Sequence, residues 1–188
     1  MGYNQAYDKL CHFDATYRSK EAEVSSGRVL DVGAGTGALS LSFLRHNDDC
    51  NRVELLDPSR VMLEFSRENF TDFDASVDLI EGGIGDQRIR PKTYDTVLCA
   101  HVIEHTDDPK ESLCWMMSCL KPGGTVLLAV SKPHWCTSLI RWKWGHKAYE
   151  PDQLVAMLND VGFEQVEAVS FRYGPPSRMS YGYRARRI

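Results

Sequence analysis

The sequence predicts an α/β protein with a doubly wound sheet of about seven strands, mostly parallel with an antiparallel last strand. Apolar strand-like runs alternate with amphipathic helix-like runs over most of the chain, which is typical of a parallel sheet covered by helices. A glycine-rich turn follows the first of these runs directly. The last two runs have no helical pattern between them, so we expect them to be antiparallel neighbours.

The individual elements follow from periodicity and from start and stop residues. Strand-like runs lie at 28–32, 52–56, 76–80, 94–100, 125–130, 163–171 and 179–187. Helical patterns lie at about 36–46, after the second run with Val61, Met62 and Phe65 on one face, from Asp108 to a stop at 121–124, and from Pro151 to Gly162. No repeat or linker interrupts the series, so we expect residues 1–188 to form one domain.

Composition and charge exclude several classes of protein. The formal net charge is -4, whereas a nucleic-acid-binding domain usually carries a basic surface, so a nucleic-acid partner is disfavoured. No apolar run approaches the roughly 18 residues that span a bilayer, and no signal peptide precedes the first helix. The six cysteines form no metal-ligand spacing. We therefore expect reduced thiols, no metal and a cytoplasmic location.

The glycine turn predicts a nucleotide-type cofactor. Gly33, Gly35 and Gly37 follow the first strand, and Asp57 ends the second strand 20 residues after the last of them. In nucleotide-binding α/β folds, a carboxylate at that place accepts hydrogen bonds from ribose hydroxyls. The spacing differs from the Gly-x-Gly-x-x-Gly of dinucleotide sites. Asp31, directly before the turn, disfavours a diphosphate and suits the ammonium group of a methionine moiety.

Four ordered motifs carry a resemblance to a known family. They are Val29-Leu30-Asp31-Val32-Gly33-Ala34-Gly35-Thr36-Gly37, Glu54-Leu55-Leu56-Asp57-Pro58-Ser59, Tyr94-Asp95-Thr96-Val97 with Ala100-His101-Val102-Ile103-Glu104-His105, and Leu120-Lys121-Pro122-Gly123-Gly124. Over about residues 27–170 the chain resembles class I S-adenosylmethionine-dependent methyltransferases, and within them the ubiquinone/menaquinone-type small-molecule subgroup. The resemblance implies a Rossmann-like fold and S-adenosyl-L-methionine as cofactor.

The resemblance also implies which residues meet the cofactor. The acid at Asp57 holds the ribose, Pro58 borders the adenine, and Met62 matches a position that packs on that ring, although a core methionine is an equal alternative. The remaining positions implied are Asp31, Gly33, Ala34, Gly35, Gly37, Ala100 and His101. Since Asp57 ends a strand, we expect an exposed carboxylate whose loss affects binding more than folding.

One departure from the family concerns the adenine amino group. The family usually places an aspartate after the third strand, and Gly83 occupies that position here. Either Asp86 takes the role through a shifted loop, or backbone groups near Ile84 bind the adenine without it. We favour the loop shift, because the three glycines at 82, 83 and 85 leave this backbone very free.

Methyl transfer from a sulfonium mainly requires alignment and exclusion of water, with a base only where the acceptor loses a proton. His105 and His146 are therefore the catalytic candidates, because the imidazole pKa lies near neutral pH. For His105 a structural hydrogen bond to its loop is the competing interpretation.

Residues 131–150 are predicted to form a lid on the acceptor side. No Asp or Glu occurs from 112 to 149, whereas Lys132, Arg141, Lys143 and Lys147 are interleaved with tryptophans. Such a surface suits an anionic, flat or membrane-resident acceptor, including peripheral membrane contact, although the tryptophans would equally serve as a plain cover. Residues 1–26 are expected to cover the cofactor.

The leading function is thus methyl transfer to O, N or C of a small-molecule or lipid-like metabolite. A methyltransferase for RNA or protein is the second interpretation, with the basic tail at 183–187 adding charge. A non-catalytic protein that binds S-adenosylmethionine is the third. The sequence does not predict the oligomeric state.

Overall fold

The computed structural model describes residues 2–19, 27–133, 148–171 and 179–188. Their centre is a seven-stranded sheet in the order β3-β2-β1-β4-β5-β7-β6. The strands are β1 Arg28–Val32, β2 Arg52–Asp57, β3 Ser76–Glu81, β4 Tyr94–Ala100, β5 Leu120–Ser131, β6 Glu164–Ser170 and β7 Ser180–Arg186. β7 lies antiparallel to both of its neighbours, and the other strands share one direction. The predicted fold class is confirmed.

Five helices and one 3₁₀ turn accompany the sheet in the described residues. They are α1 Gly2–Arg18, α2 Ala38–Leu44, α3 Arg60–Glu68, the 3₁₀ turn Ile103–His105, α4 Pro109–Cys119 and α5 Pro151–Val161. Asp108 caps α4, since its carboxylate accepts a hydrogen bond from the Glu111 amide at 3.0 Å. Gly162 ends α5 at a φ of 106°, a left-handed conformation that favours glycine.

Hydrophobic cores lie on both faces of the sheet. α4 and α5 cover one face with Leu113, Met116, Leu154 and Leu158. On the other face the core contains residues of α1, α2 and α3. Because β1, β4 and β5 are covered on both sides, their sequences are apolar almost throughout instead of alternating.

The structure adds the exposure of one predicted helix face, and it differs from the sequence prediction at the start of β5. Val61, Met62 and Phe65 are 74%, 44% and 57% exposed, and α3 buries Leu63 and Ser66 instead. β5 begins at Leu120, so the Lys-Pro-Gly-Gly turn predicted before it belongs to the strand. The residue directly after β7 holds this stretch, since the Arg187 carbonyl accepts a hydrogen bond from the Gly123 amide at 2.7 Å.

The helix α1 is part of the core. Leu10 is fully buried, and Asp14, also fully buried, accepts hydrogen bonds from the Nε atoms of Arg18 at 2.6 Å and Arg184 at 2.9 Å. The second bond joins α1 to β7, 170 residues away in sequence. A buried carboxylate held by two guanidinium groups therefore fixes the position of the helix on the sheet.

In the tail at 183–187, predicted to add charge for an RNA or protein acceptor, one arginine cannot do so. Arg184 is completely buried, and the Arg186 Nε donates to the Gly123 carbonyl at 3.1 Å. Arg187 Nη1 donates to the carbonyls of Met117 and Leu120, at 2.8 Å and 2.7 Å. These arginines satisfy carbonyl groups around the end of α4 and in β5, and are not arranged as a basic surface.

Within the described ranges, no helix has the length and apolar character needed to cross a membrane. The cysteines at 11, 50, 99, 114 and 119 are free thiols, and all but Cys114 are buried. Free thiols were predicted for all six; Cys136 lies outside the described residues.

Candidate active site

The glycine turn lies at the carboxyl edge of the sheet, between β1 and α2. A Cβ atom on Gly33 would lie 2.2 Å from the Val102 side chain, and one on Gly37 would lie 2.6 Å from the Phe70 ring. Gly35 also has a positive φ, of 53°, but a Cβ there would meet no atom within 4 Å. The outer glycines are therefore required by packing, whereas Gly35 faces open space that a ligand can approach closely.

Asp57 connects this turn to α3. Its Oδ2 accepts a hydrogen bond from the Gly35 amide at 2.8 Å, and its Oδ1 accepts one from the Ser59 amide at 2.8 Å. The side chain is buried, with 8% of the residue exposed, so the expectation of an exposed carboxylate is wrong. Each oxygen keeps a further lone pair for a ligand donor. Pro58, the next residue, is exposed.

Asp31 is a second buried carboxylate at this edge. It lies in β1 with 1% exposure and accepts a hydrogen bond from the Ser40 hydroxyl at 2.6 Å. Burial raises the pKa of Asp31 to about 7, although the Ser40 hydrogen bonds act in the opposite direction. An approaching cation would favour the ionised form.

The residues expected around the adenine differ in how available they are for contact with a ligand. Met62 is 44% exposed, which excludes the core-methionine alternative. A Cβ on Gly83 would meet nothing within 4 Å, and Ile84 packs against the core. Asp86 is bound within its own loop, because its Oδ1 and Oδ2 accept from Arg88 at 2.9 Å and 2.6 Å. This arrangement favours the alternative in which backbone groups near Ile84 meet the ring.

A histidine and a glutamate meet beyond Ala100, the last residue of β4. His101 Nδ1 lies 3.2 Å from Glu104 Oε1 and 3.2 Å from the Ser131 hydroxyl. The same glutamate oxygen accepts the Ser131 amide hydrogen at 2.5 Å. Burial alone would raise the pKa of Glu104, but the hydrogen bond and charge of His101 and the Ser131 amide outweigh it and lower that pKa. Glu104 is therefore an ionised carboxylate with only 3% exposure.

Three polar atoms at this place are buried and have no hydrogen-bond partner within the described residues: His101 Nε2, Glu104 Oε2 and the Tyr149 hydroxyl. Tyr149 is held here by its amide, which donates to the Ser131 carbonyl at 3.2 Å. A buried polar atom without a partner is costly, so such atoms commonly bind water or a ligand.

Glu104 was not among the residues predicted for the site. The available signal was an acidic residue between Ile103 and His105, directly beyond the carboxyl end of an apolar strand. Charged residues almost never become buried without a partner, so burial at that position indicates a held carboxylate.

Of the two histidines predicted as catalytic, His105 is exposed and His146 lies outside the described residues. His105 is exposed at the end of the 3₁₀ turn, where its amide donates to the Val102 carbonyl at 2.9 Å. His146 lies outside the described residues, as does most of the predicted lid at 131–150.

The start of α1 lies over the same edge of the sheet. The Tyr3 ring meets the His101 ring edge-on, with centroids 5.3 Å apart. Tyr7 is buried, and burial and the charge of Asp31 raise its pKa. The start of α1 thus lies near His101 and Asp31, and the cofactor-covering role of residues 1–26 stays a prediction.

The fold and this edge define a class I S-adenosylmethionine-dependent methyltransferase. The family model described as "Methyltransferase domain" matches residues 5–168, and the chain belongs to that family. The prediction made from the four sequence motifs is confirmed.

Two curated relatives are named as O-methyltransferases. The chain is 34% identical over 114 residues to a ubiquinone biosynthesis O-methyltransferase of Xanthomonas euvesicatoria pv. vesicatoria, covering 60% of this chain and 46% of that protein. It is 30% identical over 138 residues to a malonyl-[acyl-carrier protein] O-methyltransferase of Halalkalibacterium halodurans, covering 70% and 50%. The chain thus spans about half the length of these relatives.

Solved structures show the same fold at lower identity. The CurJ carbon methyltransferase superposes with a TM-score of 0.79 at 19% identity, over 95% of this chain and 53% of that one. The [4+2]-cyclase SpnF superposes with a TM-score of 0.70 at 21% identity, over 96% and 80%. Since one of these proteins is a cyclase, the fold alone does not determine the reaction.

Proposed function

We propose that this chain binds S-adenosyl-L-methionine at the carboxyl edge of β1, β2 and β4 and transfers its methyl group to a small-molecule or lipid-like acceptor. The observation that carries the proposal is the Gly35 turn, where the backbone faces open space and is fixed by the Asp57 carboxylate. A ligand that needs both close backbone approach and a ribose acceptor fits this cradle.

Each end of the cofactor has a group suited to it. The free lone pairs of Asp57 accept the ribose hydroxyls, and Asp31 attracts the ammonium group. Pro58 and Met62 border the adenine on one side, and the backbone at Gly83 and Ile84 faces it on the other. The remaining contacts come from Gly33, Ala34, Gly37, Ala100 and His101.

We further propose that His101 is the general base, a role that was predicted for His105 or His146. Ionised Glu104 only accepts hydrogen bonds, so it holds the proton of His101 on Nδ1 and leaves a lone pair on the buried Nε2. The bound sulfonium supplies an activated methyl group. When an acceptor hydroxyl oxygen displaces the thioether, the carbon–sulfur bond would break as the carbon–oxygen bond forms and S-adenosylhomocysteine would leave; Nε2 would take the hydroxyl proton, and the Glu104 charge would stabilise the imidazolium.

An acceptor that loses a proton therefore fits the site better than one already carrying a negative charge. Both relatives described above are named O-methyltransferases, which supports an oxygen acceptor. The anionic or aromatic character of the acceptor depends on residues 134–147, outside the described residues. Lys132, at their border, lies 4.5 Å from the Tyr181 ring centroid. A cytoplasmic location stays a prediction.

The test compares His101→Gln with His105→Gln, using release of S-adenosylhomocysteine from a panel of phenols, alcohols and carboxylic acids. We expect His101→Gln to lower kcat by about a hundredfold or more, a loss much larger than any change in cofactor affinity from its contact at the pocket. Glu104→Gln should also lower kcat, because it removes the charge that holds the proton on His101 Nδ1 and stabilises the imidazolium. If kcat fell in His105→Gln and not in His101→Gln, His105 would be the base. If His101→Gln lowered only the cofactor affinity, His101 would be a binding residue.

The non-catalytic alternative is tested by the same assay. This alternative would be supported by tight binding of S-adenosylmethionine in calorimetry without release of S-adenosylhomocysteine from any acceptor. The SpnF neighbour shows that this fold also serves reactions other than methyl transfer. An RNA or protein acceptor would require steep salt dependence of acceptor binding. The burial of Arg184 weakens one argument for that alternative.

A further inference from the structure

A second cleft lies on the sheet face that also carries α4 and α5. Its volume is about 450 Å³, and its floor is formed by side chains of β1, β2 and β3. The cleft exists because residues 82–93, which connect β3 to β4, contain no helix. Ile84 and Ile89 of this connection pack against the core and leave the neighbouring part of the sheet uncovered.

Arginines dominate the lining of this cleft. Four of them contribute, against two carboxylates, which leaves an excess of two positive charges; the charged residues are Arg28, Arg52, Arg88, Arg90, Glu54 and Asp78. In a protein whose formal net charge is -4, this local excess is opposite in sign to the whole chain. The cleft therefore selects for a negatively charged ligand.

Glu54 and Asp78 hold two of the arginines, Arg28 and Arg52, in place. Glu54 is 5% exposed and lies 2.5 Å from Arg28 and 3.3 Å from Arg52, and it also accepts a hydrogen bond from the Tyr94 hydroxyl. Asp78 lies 2.8 Å from Arg52. A guanidinium group has five donors in a fixed plane, so an arginine bound on one edge keeps donors for a ligand on another.

Two donors in the cleft are left without partners. Arg28 Nε is buried and makes no hydrogen bond within the described ranges. Arg90 is exposed and forms no ion pair with any residue that the structure describes. Unlike Arg52 and Arg88, Arg90 has its whole guanidinium group available.

This cleft is separate from the site of methyl transfer. Arg28, Arg52 and Tyr94 are the first residues of their strands, whereas Asp57 and Ala100 are the last of theirs. With about 3.3 Å of rise per residue, the two ends of β1 lie roughly 13 Å apart.

We infer that this cleft binds the phosphate group of a small metabolite. Guanidinium groups match phosphate oxygens in paired hydrogen bonds, and several arginines around one opening are typical of such recognition. The volume is sufficient for a diphosphate or a phosphate ester with a small polar body. The lining is largely polar, which disfavours an apolar ligand.

The test uses inorganic pyrophosphate as the probe, with the wild-type chain and the variants Arg90→Gln and Arg90→Lys. We expect pyrophosphate to raise the melting temperature relative to sodium chloride of equal ionic strength, because it binds the native state. Calorimetry should show at least a roughly tenfold weaker affinity in Arg90→Gln, since a charged hydrogen-bond pair is lost. Arg90→Lys should fall between the two, because it keeps the charge without the paired donors.

The matched control is Arg45→Gln, which removes an exposed arginine at the end of α2, on the opposite face of the sheet. It should bind pyrophosphate as wild type does. Saturating S-adenosylhomocysteine should not displace the probe, which separates this inference from the proposed function. Equal affinity in Arg90→Gln, displacement by S-adenosylhomocysteine, or no effect beyond ionic strength would each overturn it.

Discussion

The protonation state of Asp31 gives a direct measurement of how the cofactor is held. Its carboxyl is buried in β1, and burial raises its pKa to about 7. In the unliganded chain it is therefore about half protonated at neutral pH. If the ionised form holds the ammonium group of the ligand, each bound ligand requires a deprotonated Asp31.

The size of the effect follows from that pKa. The ionised fraction of Asp31 is about one half at pH 7 and about one thirtieth at pH 5.5. The affinity for S-adenosylhomocysteine should therefore fall by about fifteenfold over this interval, provided that Asp31 alone changes its charge. Calorimetry at constant ionic strength measures this fall directly.

Two variants separate Asp31 from other titrating groups. Asp31→Asn keeps the shape and an oxygen for the Ser40 hydroxyl, so we expect weaker binding with little dependence on pH. Ser40→Ala removes a hydrogen bond that lowers the Asp31 pKa, so its binding curve should shift to higher pH. A flat wild-type curve, or the same slope in Asp31→Asn, would refute the ammonium role.

The same pKa predicts that the free energy of unfolding falls as pH rises, whereas the ligand affinity rises. The folded-state pKa lies above the ordinary value of 3.8, so the native state binds the proton more tightly than the unfolded chain does. Its contribution to stability is present below that ordinary pKa and is lost as pH rises to about 7, by up to about 4 kcal/mol. Without ligand, Asp31→Asn should thus be more stable than wild type at pH 8 in urea unfolding.

The remaining predictions concern the glycine turn and the anchor of α1. Gly33→Ala should lower the free energy of unfolding by about 1–3 kcal/mol, because its Cβ meets Val102, whereas Gly35→Ala should chiefly weaken cofactor affinity in calorimetry. Asp14→Ala should cost about 3–5 kcal/mol in urea unfolding, since it leaves a buried guanidinium uncompensated. Asp8→Ala, on the same helix but 40% exposed, should cost under about 1 kcal/mol; equal losses in the two would contradict the anchor.

The sheet was predictable because its central strands leave few alternatives. Apolar runs such as 126–130 indicate burial on both faces, and the absence of a helical pattern between the last two runs indicated the antiparallel strand. Exposure was harder to predict. The sequence predicts that Val61, Met62 and Phe65 share one face of α3, and in the structure this face is exposed to solvent. Periodicity identifies such a face but does not show whether another element covers it.

The candidate site was predictable only where a local motif marks it. The turn at Gly33–Gly37 and the acid at Asp57 lie in short patterns with fixed spacing. Glu104 and the arginine cleft depend on contacts between distant parts of the chain, such as Ser131 with Glu104 and Arg28 with Glu54. Sequence spacing carries no record of such pairs when only one sequence is considered.

Two of the three buried carboxylates at the carboxyl edge, Asp31 and Glu104, have pKa values shifted in opposite directions, for a physical reason that also divides their roles. Asp31 and Glu104 are almost equally buried, at 1% and 3% exposure. Glu104 receives hydrogen bonds from His101 and the Ser131 amide, and these lower its pKa despite burial, so its charge is permanent and orients the imidazole. Among the described residues, Asp31 accepts a side-chain hydrogen bond only from the Ser40 hydroxyl, so a bound cation would favour its ionised form. Opposite shifts of this kind are typical of sites in which one acid positions a base and the other binds the ligand.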